Sequence, residues 1–336
     1  MAHNNTFGAL RLVAALLVTF SHSWPLALGS GVAEPPYPLL PFSLGTVGVY
    51  IFFAISGMLV TQSLMSNSLP RYAWHRLLRI FPALFVCLLF TTFIVAPLFG
   101  TGLGWFFTAE PYRHVVVNTL LFKDAETGVS GVFASNPLPS ALNDPIWTLV
   151  WEVRAYLLLV LIVPLGRKWW GLALTLGLVI LSALLVPFPA PQIPRFLMAF
   201  FLGGLICQFD LADRHRGLIA AVAVLPLFTT YGTPLFDWAF TIWIVAAVFA
   251  IGNIRTNAFL VLRRFDPTYG IYLYSWPMAQ ILVSLFRIAD PWVLALLTVL
   301  GAGTLATGSW FLIERPAMAL RDWTPWPKPV LPAPRR

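Results

Sequence analysis

The stretch FGALRLVAALLVTFSHSWPLAL, Phe7–Leu28, carries one arginine, one histidine and no acid. A helix needs about 20 mostly apolar residues to cross the hydrocarbon core of a bilayer, so this segment reads as a transmembrane helix. The same ruler yields nine further segments along the chain: Leu44–Met65, Leu77–Leu98, Ile146–Leu165, Trp169–Val186, Phe196–Phe209, Leu218–Thr230, Phe236–Gly252, Thr268–Arg287 and Trp292–Ile313. The sixth and seventh of the ten are short. Val115–Phe122 is apolar but too short to cross, and reads as packed or interfacial.

Composition excludes the alternatives. The 336 residues are 59% hydrophobic and 10% charged, with a mean hydropathy of +0.80. A soluble domain has about 25% charged residues, so this chain could not cover a water-facing surface. A soluble enzyme, a disordered chain and a secreted disulfide scaffold are therefore all excluded. Fourteen Trp and 27 Phe suit a protein with two membrane interfaces. The expected fold class is all-α, a polytopic membrane bundle of about ten transmembrane helices.

The net charge of +8 is a matter of loops rather than a nucleic-acid signal. With the N-terminus inside, the even-numbered loops and the tail hold fifteen Lys and Arg, among them Arg71, Arg76, Arg79, Arg216, Arg315 and Arg321. The other side holds Arg113, Lys123, Arg195 and Arg287. This asymmetry predicts both termini in the cytoplasm. Residues 1–320 read as one transmembrane domain and 321–336 as a short Pro/Arg-rich cytoplasmic tail, with no soluble domain after the last span. Gly31-Val32-Ala33 resembles a leader cleavage site, but no basic region precedes the apolar run, so the first span is expected to be retained. The connection at about Phe99–Pro145 is long enough to be functional and is expected to face outward.

Ionisable residues inside spans are costly and mark function by default. Arg11 and His22 lie on one face of the first span, because eleven residues turn a helix about 20° past three full turns, and roughly 16 Å separates them. A snorkelling Arg with a satisfied His is the plain alternative. Glu152 lies about 9 Å below the start of the fourth span near Ile146, and His22 about 9 Å below the end of its own span. If both ends reach the outer surface, the two meet at one depth, and the carboxylate can support the imidazole as a base. Glu152 as a structural partner of an Arg is the alternative.

Arg154 faces away from Glu152 and reads as a packing or substrate contact. Arg76 and Arg79, three apart, share a face that suits phosphate or simple anchoring. Ser56-Gly57 allows either close helix packing or the approach of a narrow ligand arm. Cys87 and Cys207 sit in apolar runs as small hydrophobes. The scattered His3, His114 and His215 give no metal-ligand spacing, and no metal is expected.

Six segments in order are similar to the integral-membrane acyltransferases of acyltransferase family 3. They are Arg11 to His22, Phe52-Phe53-Ala54-Ile55-Ser56-Gly57, Arg76-Leu77-Leu78-Arg79, Trp147-Thr148-Leu149-Val150-Trp151-Glu152 with Tyr156, Tyr269-Gly270-Ile271-Tyr272, and Ile313-Glu314-Arg315-Pro316. Gly8, Thr148 and Ser275 stand where the family often has Asp, Ser and His. The resemblance implies a multi-pass enzyme of the bacterial inner membrane that O-acylates cell-surface or exported carbohydrate from cytoplasmic acyl-CoA, with acetyl-CoA the expected donor and no permanently bound cofactor. It implies His22 as general base with Glu152, acyl-CoA contacts from Arg11, Arg76, Arg79, Ser56 and Gly57, and substrate-lining roles for Trp147, Tyr156, Arg154, Tyr269 and Tyr272. The rival class is a transporter or flippase for a glycan or small anion. Transporters usually show repeat symmetry, which this sequence lacks.

Overall fold

The computed structural model describes residues 6–32, 34–121, 124–162, 177, 192–208, 215–254, 256 and 265–323. Among these, every regular element is a helix: α1 (Phe7–Leu28), α2 (Leu44–Ser66), α3 (Leu69–Phe90), α4 (Glu110–Leu120), α5 (Ile146–Ile162), α6 (Ile193–Gln208), α7 (Arg216–Val222), α8 (Leu225–Thr230), α9 (Phe236–Gly252), α10 (Thr268–Phe286), α11 (Pro291–Ser309) and α12 (Arg315–Ala319). Four helical stretches are long and apolar enough to cross a membrane: Phe7–Leu28, Leu44–Ser66, Leu69–Thr101 and Pro291–Asp322. Shorter apolar helices accompany them.

The expected fifth span, Trp169–Val186, lies outside the described residues apart from Gly177, as do the tail beyond Trp323, Lys123 and the loop cations between Arg167 and Arg264 other than Arg195 and Arg216. The expected seventh span is not one helix. It is split into α7 and α8 ahead of Pro226, with no buried residue in either. Proline has no N–H to give, and its ring clashes with the carbonyl four residues back.

Local chemistry sets the helix starts. The Ser43 hydroxyl accepts from the Thr46 amide at 3.1 Å to cap α2. The Asp290 carboxylate accepts from the amides of Trp292 and Val293 at 2.8 and 3.2 Å to cap α11, whose first residue is Pro291. Both are favoured N-terminal arrangements.

Helix α2 is central, packed on α1 and α6. A methyl added at Gly57 would lie 1.9 Å from the Phe200 carbonyl oxygen, and one at Gly203 would lie 2.4 Å from that of Ala54. Gly57 is thus a packing glycine against α6, and its expected place beside an acyl-CoA arm is corrected. Small residues are what let two helices come this close. On its other side α2 runs antiparallel to α1: Gly45 stands against Ser21, and Gly48 against Ala14 and Val18. That register brings Ser56 level with the Arg11 turn. Helix α10 runs parallel to α1, since Asp266 just before it pairs with Arg11 and Trp276 meets His22.

The connection before α5 does not stay at the surface. Asn136 donates to the Gln280 carbonyl at 2.9 Å, Trp276 donates to Ala141 at 3.0 Å, and Asn143 donates to the Leu273 carbonyl at 2.9 Å. The chain therefore descends along α10 by about 10 Å. It delivers Pro145, whose carbonyl accepts from Tyr272 at 2.9 Å and from Thr148 at 3.1 Å. Buried irregular backbone is tolerated at such depth only when its polar groups are satisfied by protein, and these side chains do that. Helix α5 thus begins level with Tyr272, roughly 21 Å short of the end of α10 at Phe286, not at the bundle surface.

Basic residues gather at one end. Arg71 pairs with Asp322 at 2.7 Å, and Arg216 donates to the carbonyl of Asn253 at 2.7 Å, beside the Gly252 carbonyl that accepts from Thr6. Arg195 and Asp237, at the starts of α6 and α9, pair at 2.9 Å at the opposite end.

Gly57→Ala should cost roughly 1–3 kcal/mol through overpacking. A lowered melting temperature in detergent, with activity per folded molecule retained, is the expected result.

Candidate active site

A cavity of about 110 Å³ opens between α1, α2, α3, α5 and α10, walled by Arg11, Phe52, Ser56, Arg76, Arg79, Glu152, Tyr156, Tyr269 and Tyr272, among others. The elements above explain the gathering. Arg11 comes from the first turns of α1 and Ser56 from the antiparallel α2. Arg76 and Arg79 lie one turn apart on α3. Glu152 and Tyr156, four apart, share a face of α5.

Their charges are not equivalent. Asp266 lies between two guanidiniums, 3.2 Å from Arg11 and 3.0 Å from Arg79. Its other oxygen accepts from the Thr268 hydroxyl at 2.5 Å. Burial works to raise the Asp266 carboxyl, but Arg79, Arg11 and the Thr268 hydrogen bonds outweigh it and hold the group down at about 2. Arg79 also reaches Glu314 at 3.9 Å and lies 5.9 Å from the centroid of the Tyr269 ring. Glu314 is brought there by a wide π turn over Trp310–Glu314 that links α11 to α12, and Ser309 donates to it at 3.2 Å. Arg76, by contrast, makes no ion pair among the described residues, and its Nε is buried without a partner.

Glu152 has its own partners. Its Oε1 accepts from Ser56 and from Tyr156, each at 2.5 Å. The expected support of His22 by Glu152 is corrected. Because α5 begins deep in the bundle, its seventh residue lies at the level of Arg11, about three helical pitches below His22. Trp147 packs on Phe196, with centroids 6.1 Å apart. Arg154 pairs with Asp124 at 3.1 Å and lies 4.5 Å over the Trp151 ring. Neither Trp147 nor Arg154 lines the cavity.

His22 belongs to a second cavity of about 320 Å³, at the opposite end of α1, walled by Ser21, Trp24, Glu34, Tyr37, Phe42 and Ser43, among others. Its ring meets Trp276 edge-on at 4.9 Å, and its Nδ1 is buried without a protein partner. The two cavities share no wall residue. Tyr272 at the top of one and Trp276 beside the other are four residues apart on α10, and Val49 and Ser43 are six apart on and before α2. The partition is therefore roughly 6–9 Å thick. Sequence reasoning passed over Asp266 and Glu34. The available signal was rarity: the chain has only 13 acids, and both lie within two residues or a short loop of apolar spans.

The family model described as an acyltransferase domain (acyltransferase 3) matches residues 4–315. The chain belongs to this acyltransferase family and is a multi-pass membrane enzyme. It is 29% identical over 336 residues to an O-acetyl transferase of Shigella phage Sf6, covering 94% of this chain and 96% of that protein. It is 30% identical over 373 residues to nodulation protein 10 of Rhizobium leguminosarum bv. viciae, covering 95% and 94%. No solved structure matches the chain.

Asp266→Asn should destabilise the protein by roughly 3–5 kcal/mol, because it leaves two largely buried guanidiniums without their shared counter-charge. The carboxylate's contribution is complete above about pH 4, the usual carboxyl range, and is lost as pH falls toward about 2. Melting temperature followed through acid titration should show this component in the unaltered protein and lack it in the variant.

Proposed function

We propose that the protein moves an acetyl group from acetyl-CoA to a hydroxyl of a cell-surface or exported carbohydrate, within the bacterial cytoplasmic membrane. In this reading the bundle has about ten spans, both termini are cytoplasmic and the Arg11 end faces the cytoplasm. The observation that carries it is the pair of cavities arranged end to end along α1, one with an uncommitted arginine and one with an imidazole. The name of the phage relative favours acetyl as the group and oxygen as its destination.

The donor's phosphates meet Arg76 first. Arg79 and Arg11 share one carboxylate, Asp266, which offsets one of their two charges, so they shape the wall and supply a weaker, longer-range attraction. The thioester arm runs between Ser56 and Tyr272 toward His22, and donor loading must part the thin partition between them. His22 then takes the proton of the acceptor hydroxyl. The oxygen attacks the thioester carbonyl carbon, a C–O bond forms and the C–S bond breaks. The CoA thiolate leaves and receives the proton from the imidazolium. Glu152, held by Ser56 and Tyr156, keeps the donor wall in shape and is not the partner of the base.

With labelled acetyl-CoA, protein in nanodiscs and a glycan acceptor, His22→Ala should lose roughly 10²–10⁴-fold in transfer rate, the usual worth of a positioned base. Unreduced transfer by that variant would overturn the assignment. Arg76→Ala should raise the KM for acetyl-CoA by about tenfold or more, as loss of one charge-assisted phosphate contact implies. Glu152→Gln should also act mainly on that KM, with kcat falling far less than in His22→Ala.

A further inference from the structure

The cavity at the His22 end contains a feature that acid–base chemistry at His22 does not use. Glu34 is 8% exposed and lines this cavity. One of its oxygens accepts from the Leu44 amide and so caps α2. The other, Oε2, is buried with no protein partner. An unsatisfied buried carboxylate oxygen is expensive, by more than the 1–3 kcal/mol of a neutral group, and such an oxygen in a cavity wall calls for a donor brought by a ligand.

The remaining walls narrow the class of ligand. Trp24 and Phe42 are aromatic, and Tyr37 projects with 65% of its surface exposed. Among the described lining residues there is neither Lys nor Arg, so a phosphate or carboxylate would meet the like charge of Glu34 without a counter-charge from them. A volume of about 320 Å³ falls in the range of small-ligand sites, which combine apolar walls with few polar groups. Hydrogen-bond acceptors, flat amphipathic rings and no cation suit a neutral, hydroxyl-rich ring.

We propose that this cavity is a saccharide-binding site, with Glu34 accepting a hydrogen bond from one hydroxyl of the ligand and Tyr37 covering a face of its ring. It deepens the acyl-transfer reading, on which the identity of that saccharide as the acceptor rests. With Glu34 holding one hydroxyl, a neighbouring one is presented to His22 in the same cavity. Glu34 thereby acts in binding and in the choice of position on the ring.

The test uses the full chain in nanodiscs and, as probe, the producing strain's envelope polysaccharide stripped of its esters by mild base. Binding is measured first without acetyl-CoA, and transfer afterwards. Glu34→Gln keeps the oxygen that caps α2, so its fold can be verified by an unchanged melting temperature, and Tyr37→Ala probes the ring contact separately. Saturable binding by the unaltered protein is expected. Each variant should weaken it by about tenfold or more, the worth of one charge-assisted or stacking contact, with the acetyl-CoA KM unchanged. No saturable binding, or binding by both variants as tight as that of the unaltered protein, would overturn the site. Glu34-dependent binding without any transfer would keep the site and sink the transfer reading. Transfer with an acceptor KM unaltered in Glu34→Gln would do the reverse.

Discussion

One carboxylate shared by two guanidiniums holds the bundle in register. Asp266 ties the first turns of α1 to α3 and to the start of α10, and through Arg79 the tie extends to Glu314 at the end of the last long helix. Inside a low-dielectric bundle a charge without its partner costs several kcal/mol, so these elements are fixed at one depth. With that depth set, the parallel course of α10 beside α1 brings Trp276 to His22, and the antiparallel course of α2 brings Ser56 to the level of Arg11. The same tie leaves Arg76 as the guanidinium of that wall that makes no ion pair among the described residues.

The fold class was legible because the bilayer imposes a length and a composition that few other environments tolerate. Arg11 stood out for the same reason, since a guanidinium in an apolar run needs a purpose. What could not be read was depth. The assumption that Ile146 starts at the surface follows naturally from hydropathy, which reports where a span can lie but not how a preceding loop is folded. Asn136, Asn143 and Gln280 are the groups that pull that loop inward, and nothing in their spacing announces it. The ambiguity at Ser56-Gly57 was real. Adjacent helical residues point about 100° apart, so the serine faces the cavity while the glycine faces α6.

Asp266 and Glu34 illustrate a different limit. Each precedes a span by a short distance, where a lone acid reads as ordinary loop charge. Their significance lies in what they meet: two cations from distant helices in one case, and an amide plus an empty-handed oxygen in the other. Such long-range meetings belong to tertiary structure. Rarity of acids in a chain of this composition is the one local hint, and it marks position without assigning a role.

The thin partition between the two cavities has a consequence for the living cell. A path open at once to both sides would conduct water, and with it protons driven by the transmembrane potential, each unit charge releasing about 2.3 kcal/mol per 100 mV. Tyr272 and Trp276 stand on either side of one turn of α10, and the two cavities share no wall among the described residues. In the proposed reading, where donor and acceptor come from opposite compartments, such a partition would let the enzyme reside in an energised membrane without discharging it.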